Sequence, residues 1–387
     1  MTDVWTIIKH ELGNIFWRDR RRAVLLLLAS VAYTLLFSWL YLFGVIREVP
    51  LLVVDKSNSA FSRHLTKIFD DSDGFRAAAW AENEEEASEW LRRQGRHSAA
   101  LIIPQDFTEK IQRGRQSEVL LLVEGSNIVI TSNSSIVATE LVQRFNAECA
   151  EQLLERDVKQ LRQQSQRRTE SVAFSYRVLG NPQLDYLLFF VYGLALVALQ
   201  QGLLLAVAAG VLWEDVAMPE TKLKPGAVWL IKSGIYVVLG LVSYVMFLAV
   251  GGRLFALPAA GLWTQHVLLA VAFLFCVTQL GGIAACLAGN ELLFSRLSVF
   301  YTVPAFMLSG YTWPVEAMPW GVRCLAYLSP FTYWAQAVRS LCLNGYYRDL
   351  QFNALVLLCA GLAALPFAVR LFSGKMRQKL FIKKMLR

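Results

Sequence analysis

The stretch Leu184–Leu212 reads LDYLLFFVYGLALVALQQGLLLAVAAGVL and carries no charge after Asp185. A helix needs roughly 20 apolar residues to cross the hydrocarbon core of a bilayer. A helix that is apolar all round has no face to give to water. The segment therefore predicts a membrane span. Outward from it, comparable runs recur at about Ala23–Gly44, Ala227–Val250, Leu262–Gly289, Leu297–Tyr311 and Phe352–Phe372. The run ending at Tyr311 is short and holds Pro304, which membrane helices tolerate when neighbours satisfy the freed carbonyl. Composition agrees, with 55% hydrophobic residues in a chain of 387. The first run is longer than the apolar part of a signal peptide, and no A-x-A cleavage pattern follows it. The expected fold class is an α-helical integral membrane protein with six transmembrane helices.

Lysine and arginine in short flanks orient the spans. Arg18, Arg20, Arg21 and Arg22 precede the first run, and Arg370, Lys375, Arg377, Lys379, Lys383, Lys384 and Arg387 follow the last. Lys222 and Lys224 lie between spans two and three, whereas only Arg253 lies between three and four. Both termini are expected on the cytoplasmic side of a bacterial inner membrane. The formal net charge of +8 is accounted for by these flanks, and no nucleic-acid partner is expected.

Residues 45–183 are expected to form one extracytoplasmic, periplasmic α/β domain, since long segments translocate regardless of charge. Val49–Asp55, Ala99–Pro104 and Val119–Val123 read as buried strands. Phe61–Phe69, Ala81–Gln94 and Asp106–Arg113 read as helices, the second presenting Ala87, Trp90 and Leu91 on one face. Ile136, Leu141, Phe145, Leu153, Val158 and Leu161 recur at helical spacing within a long helix from about Ser134 to Arg177. Its charge-rich part, Glu151–Glu170, is read as a solvated face, with a docking surface for a periplasmic partner as the alternative.

The first 22 residues read as a cytoplasmic amphipathic helix on the inner leaflet. Val4, Trp5, Ile8, Leu12, Ile15 and Phe16 share a face from which Lys9 and Glu11 fall away. It is either an anchor alone or an anchor that also contacts a cytoplasmic partner. The transmembrane part, 184–387, holds a cytoplasmic loop at 213–225, a hairpin at 312–348 and a basic tail at 373–387.

Enzyme motifs are missing. No G-x-x-x-x-G-K-[ST] occurs: in Gly226–Ser233, Ile231 stands where glycine must precede Lys232, so no amide cradle for phosphate can form. No H-E-x-x-H occurs, and His10, His64, His97 and His266 are scattered. Cys324 and Cys342 both lie outside the spans and are a candidate disulfide in an oxidising compartment. Ion-coupled carriers keep ionisable residues inside their spans; here the mid-span polar residues are Gln200, Gln201, Ser243, Thr278 and Gln279. Such residues either bond across helices or line a transport path, with Tyr301 and Thr302 added in the second reading. Work must draw on a partner or a gradient, and the uncharged spans favour a partner.

Between spans five and six, Tyr311–Trp320 and Leu325–Tyr333 are too polar and proline-broken to span. They read as two short helices dipping into the outer leaflet, joined near Ser329-Pro330, with Trp313, Trp320, Tyr327, Tyr333 and Trp334 at the interface. The motifs Met307-Leu-Ser-Gly310, Pro314-Val-Glu-Ala-Met-Pro319, Leu328-Ser-Pro-Phe-Thr-Tyr333 and Val338-Arg339 before Asn344-Gly345 resemble the ABC-2 type permeases. These are the membrane subunits of type V, ABCG-like exporters. Val53-Val-Asp55, Ile102–Phe107 and Val123–Asn127 resemble the outer insert of the bacterial YhhJ/YbhR/YbhS-type subgroup. The resemblance covers nearly the whole chain.

The resemblance implies a pair of permeases, this chain with a second copy or a paralogue, facing each other across a substrate path. It implies cytoplasmic ABC ATPase subunits that supply ATP and magnesium, no cofactor bound by the chain itself, and a possible periplasmic adaptor. Coupling to the ATPases is expected at Trp5 and Glu11 and at Glu214, Asp215, Glu220, Thr221 and Lys222. The loop departs from the family pattern in having Met218-Pro219 where Gly-Thr is usual. Pro314, Glu316, Pro319, Pro330 and Tyr333 would shape the re-entrant hairpin. Cargo is expected to be hydrophobic or amphipathic: a drug, a lipid-linked molecule or a polymer. A membrane-anchored receptor or scaffold and an ion-coupled carrier are the competing readings.

Overall fold

The computed structural model describes residues 2–41, 47–94, 98–113, 115–123, 128–160, 185–212 and 223–385. Contacts divide the chain into two compact units, residues 1–42 with 178–387 and residues 43–177.

Among the described residues, six helices of the first unit are long and apolar enough to cross a membrane. The first, Arg20–Leu40, is built from α2 (Arg20–Ala23), a π-turn (Val24–Leu28) and α3 (Ala29–Leu40). It follows α1 (Thr2–Gly13) and a second π-turn, Asn14–Arg18. The others are α8 (Tyr186–Leu212), α9 (Pro225–Phe255), α10 (Trp263–Ala288), α11 (Glu291–Leu308) and α14 (Leu350–Met385). The protein is a multi-pass membrane protein.

Helix α8 is the centre of this unit. In its most apolar stretch 78% of residues are buried, against 28% in the first span, α11 and α14. A helix apolar on every side is stable only when neighbours cover every side, and α3, α9, α10, α11 and α13 (Pro330–Asn344) all pack on it. Helix ends follow local chemistry. Pro225 opens α9, where its missing N–H costs nothing. Gly289, at φ +76°, closes α10 in the left-handed region. Asn290 then caps α11, its Oδ1 accepting from the Leu293 N–H at 2.7 Å.

That cap corrects a boundary. The fifth apolar run was read from Leu297, but the helix starts at Glu291. Glu291 and Arg296 sit on its first turns and had masked the helical signal. Likewise Arg253, read as lying between spans, belongs to the last turn of α9.

The second unit carries a four-stranded sheet of order β2-β1-β3-β4: β1 (Val49–Asp55), β2 (Phe75–Trp80), β3 (Ala99–Ile103) and β4 (Leu120–Val123). β1 pairs in parallel with β2 and β3, and β4 closes antiparallel on β3. Side chains alternate across a strand. Accordingly Leu51 and Val53 face a core with Phe69, Phe75, Phe107 and Phe145, while Leu52 and Val54 face Ala87 and Leu91. The helices are α4 (Ala60–Asp70), α5 (Glu84–Gln94), α6 (Phe107–Gln112) and α7 (Ile128–Gln160). Along α7, Ala138, Leu141, Phe145 and Cys149 make the buried stripe. The expected continuation to Arg177 lies outside the described residues. Strand β2 has no counterpart in the sequence reading, because Arg76-Ala-Ala-Ala79 lacks the branched side chains that mark strands.

Candidate functional site

The best-defined polar site of the membrane unit is the C-terminal end of α8. The last four carbonyls of a helix have no partner within it and carry its negative dipole end. Two of them are met by cations. Lys232 Nζ, on α9, donates to Gly210 O at 3.0 Å, and Arg22 Nη2 donates to Ala209 O at 3.0 Å. Each cation has a carboxylate from the N-terminal segment. Glu11 Oε2 lies 3.2 Å from Lys232 Nζ, and Asp19 Oδ2 lies 3.2 Å from Arg22 Nε. All four side chains are at most 4% exposed. Tyr236 Oη donates to Glu11 Oε1. Gly210 makes that approach possible, since a Cβ there would sit 2.0 Å from Tyr236 Oη.

This revises the reading of α1. The side packed on the bundle holds Ile7, Glu11, Asn14 and Ile15, whereas Trp5, Phe16 and Trp17 are exposed. Glu11 is thus an interior residue, because its ion pair satisfies a charge that burial alone would disfavour. Arg22, read as one of four flanking arginines, is interior for the same reason. Trp5 lies on the open face, with Lys9 Nζ over its ring at 5.4 Å. The loop residues Glu214, Asp215, Glu220, Thr221 and Lys222 lie outside the described residues.

The mid-span polar residues divide into two groups. Gln200, Thr278 and Gln279 are fully buried. Thr278 donates back to Leu274 O at 2.7 Å, and Gln279 Oε1 accepts from Trp229 Nε1 at 2.8 Å. Gln201, by contrast, is only part-buried and bridges α8 to α11: its Nε2 donates to Ser298 Oγ at 2.8 Å, and its Oε1 accepts from Thr302 at 2.7 Å. Tyr301, 39% exposed, lies beside Thr302 on α11.

The segment after α11 is fastened by short-range chemistry. Gly310 adopts φ +79°, and a Cβ there would meet Gln336 Nε2 at 1.7 Å. Gln336 Nε2 donates to Ser309 O at 2.9 Å. Arg339 donates to Tyr311 O at 3.1 Å and lies over the rings of Tyr311 and Phe189. Pro314 opens a 3₁₀ turn holding the exposed Glu316, and Pro319 precedes α12 (Trp320–Leu328). Pro330 opens α13. Tyr333 Oη donates to Tyr327 O at 3.0 Å, and Asn353 donates to Tyr333 O at 2.8 Å. Cys324 is exposed on α12 while Cys342 is buried in α13, and both are free thiols. The candidate disulfide is not formed.

Several long apolar helices packed about α8 make this a polytopic membrane protein rather than a soluble one with a single anchor. Residues 22–370 match the family described as ABC-2 family transporter protein, and the chain belongs to that family. It is 24% identical over 360 residues, 91% of this chain and 93% of the relative, to a protein of Escherichia coli (strain K12) named "Probable multidrug ABC transporter permease YbhR". The protein of the same name from Escherichia coli O157:H7 matches equally. No solved structure matches the chain. ABC-2 permeases are the transmembrane component of their transporters and not the ATPase, so membership implies a partner ABC ATPase.

Proposed function

We propose that the chain is the permease subunit of an ABC exporter, working as a pair of permeases in a bacterial inner membrane with both termini in the cytoplasm. Residues 45–183 form its periplasmic domain and meet an adaptor there. The segment from Tyr311 to Asn344 enters the outer leaflet as a re-entrant hairpin. The loop 213–225 faces the ATPases.

The observation that carries this reading is the end of α8. The most enclosed helix of the bundle runs directly into that loop, and its last turn is held by charged groups from both α9 and the N-terminal segment. A push on the loop therefore reaches the middle of the bundle. α11, the least apolar of the six, is the element assigned to move against it in this reading. Their polar contact through Gln201, Ser298 and Thr302 lies on the path. Gln279, which accepts from Trp229 of α9, ties helices together instead, and the buried Gln200 and Thr278 lie off the path. Only a difference in free energy between inward and outward states transmits the work of ATP binding.

Cargo is hydrophobic or amphipathic, in keeping with a path whose polar groups are uncharged. The test is ATP-driven accumulation of an amphipathic cationic dye in inside-out vesicles holding the permease with its ATPase. Accumulation that is lost on replacing Glu214 and Glu220 supports the reading. Accumulation driven by a proton gradient without ATP would establish an ion-coupled carrier in its place.

A further inference from the structure

The two ion pairs at the end of α8 share one plan. A carboxylate from the first residues of the chain holds a cation, and the cation holds a carbonyl: Glu11 to Lys232 to Gly210, and Asp19 to Arg22 to Ala209. The two carbonyls are consecutive, so the two chains of contact grip one helical turn. The carboxylates are held in their turn. Tyr236 donates to Glu11, and Asp19 Oδ1 also accepts from Arg21 Nε at 2.9 Å. Asp19 stands where the helix is broken, at φ −127°, between the π-turn and α2. That break lets its side chain turn back to Arg22.

Burying two ion pairs is not by itself a source of stability, since desolvation offsets most of the attraction. What four such groups supply is a fixed geometry. A helix end whose carbonyls are free frays, and fraying absorbs displacement. A helix end gripped by two cations passes displacement on.

We infer that Glu11, Lys232, Asp19 and Arg22 are positioning residues for energy coupling. They join α1, the start of the first span, α9 and the last turn of α8 into one rigid body, so that force arriving at the loop after Leu212 moves these elements together. The inference rests on the permease reading above and assigns it a mechanical part. The four residues act through α8 and touch neither ATP nor cargo.

The test uses the full chain with its ATPase in lipid nanodiscs, comparing wild type with Lys232→Arg, Lys232→Met and the neutral pair Glu11→Gln/Lys232→Met. Two quantities are read: the amount of ATPase that co-purifies and its ATP turnover in the complex. The neutral pair leaves no unpaired buried charge, so it separates coupling from folding. The expected result is wild-type binding of ATPase by Lys232→Arg and by the neutral pair, with Lys232→Met alone showing the cost of the unpaired buried charge. Turnover in the neutral pair falls by at least about fivefold, the lower end of typical coupling effects. Lys232→Arg, which keeps the cation, retains more than half. Wild-type turnover in the neutral pair would overturn the inference and leave the permease reading standing. Loss of ATPase binding by the neutral pair would overturn it too, because a positioning role leaves the docking surface intact. Failure of the wild-type chain to bind any ATPase would remove the permease reading and this inference with it.

Discussion

Glu11 and Lys232 lie 3.2 Å apart, carboxylate to ammonium, with neither side chain more than 1% exposed. One is on α1 and the other on α9, far apart in the sequence, so their pairing fixes how α1 seats. Removing one partner of a buried pair costs about 3–5 kcal/mol, because the other charge is left uncompensated, whereas replacing both is often near neutral. Lys232→Met is therefore expected to lower the unfolding temperature of the purified protein markedly. Adding Glu11→Gln is expected to recover most of the loss. A double-mutant cycle read by intrinsic fluorescence checks this, and additive losses would argue against the pair.

Gly310 carries a second expectation. At φ +79° a side chain costs about 1–3 kcal/mol in backbone strain, and here a Cβ also strikes the Gln336 amide. Gly310→Ala should release Gln336 from Ser309 O and loosen the start of the hairpin. Faster hydrogen exchange confined to residues 309–344 is the expected readout. Gln336→Ala added to Gly310→Ala should relieve the clash but not the strain, giving partial recovery.

Thiol labelling addresses the hairpin from another side. Cys324 is exposed and Cys342 fully buried. A membrane-impermeant maleimide added to spheroplasts is expected to modify Cys324 without prior reduction and to spare Cys342. Labelling of Cys324 only from the cytoplasmic side would invert the proposed orientation.

In the second unit, Glu148 accepts from Arg144 Nε and lies 2.9 Å from His64 Nε2. The hydrogen bond from Arg144, aided by that of His64 and opposed by burial, holds its carboxyl below the usual 4.5. A depressed carboxylate stabilises the fold above its unfolded pKa, and the contribution is lost as pH falls through the folded value. The neighbouring Cys149 reports on it, since burial pushes that thiol up to about 11 and shields it. Glu148→Gln should speed labelling of Cys149 at neutral pH by a dithiodipyridine, a disulfide reagent whose protonated pyridine keeps it reactive in acid. The difference from wild type should vanish as pH falls below the carboxylate range. A difference that persists in acid would show that Glu148 acts by packing alone.

The six spans were legible because an uncharged run of this length has few other stable fates. The strands β1, β3 and β4 were legible as short branched runs. β2 was not, since alanine carries little strand signal and its place depends on pairing with Val49–Val53. The charged groups at the end of α8 were illegible for a different reason. Amphipathic reading assigns charges to the outside, and Glu11 and Arg22 are inside only because Lys232 and Asp19 meet them. Nothing in a local window around Glu11 announces a partner as far along the chain as Lys232, and Asp19 beside Arg22 reads as one more flanking charge. The roles of Gln200 and Gln201 were equally hidden. Adjacent in sequence, they point to different neighbours on α8, and only packing separates the enclosed one from the one that bridges to α11.

The central claim, that this chain works with ATPase subunits it does not contain, is tested most directly by native mass spectrometry of the tagged protein drawn from its own membranes in mild detergent. The expected species holds two permease chains and two ABC ATPase subunits, and turns over ATP before ionisation. A single chain or a pair with no ATPase, seen both in detergent and in nanodiscs, would contradict it and favour a membrane-anchored receptor whose outer unit does the binding.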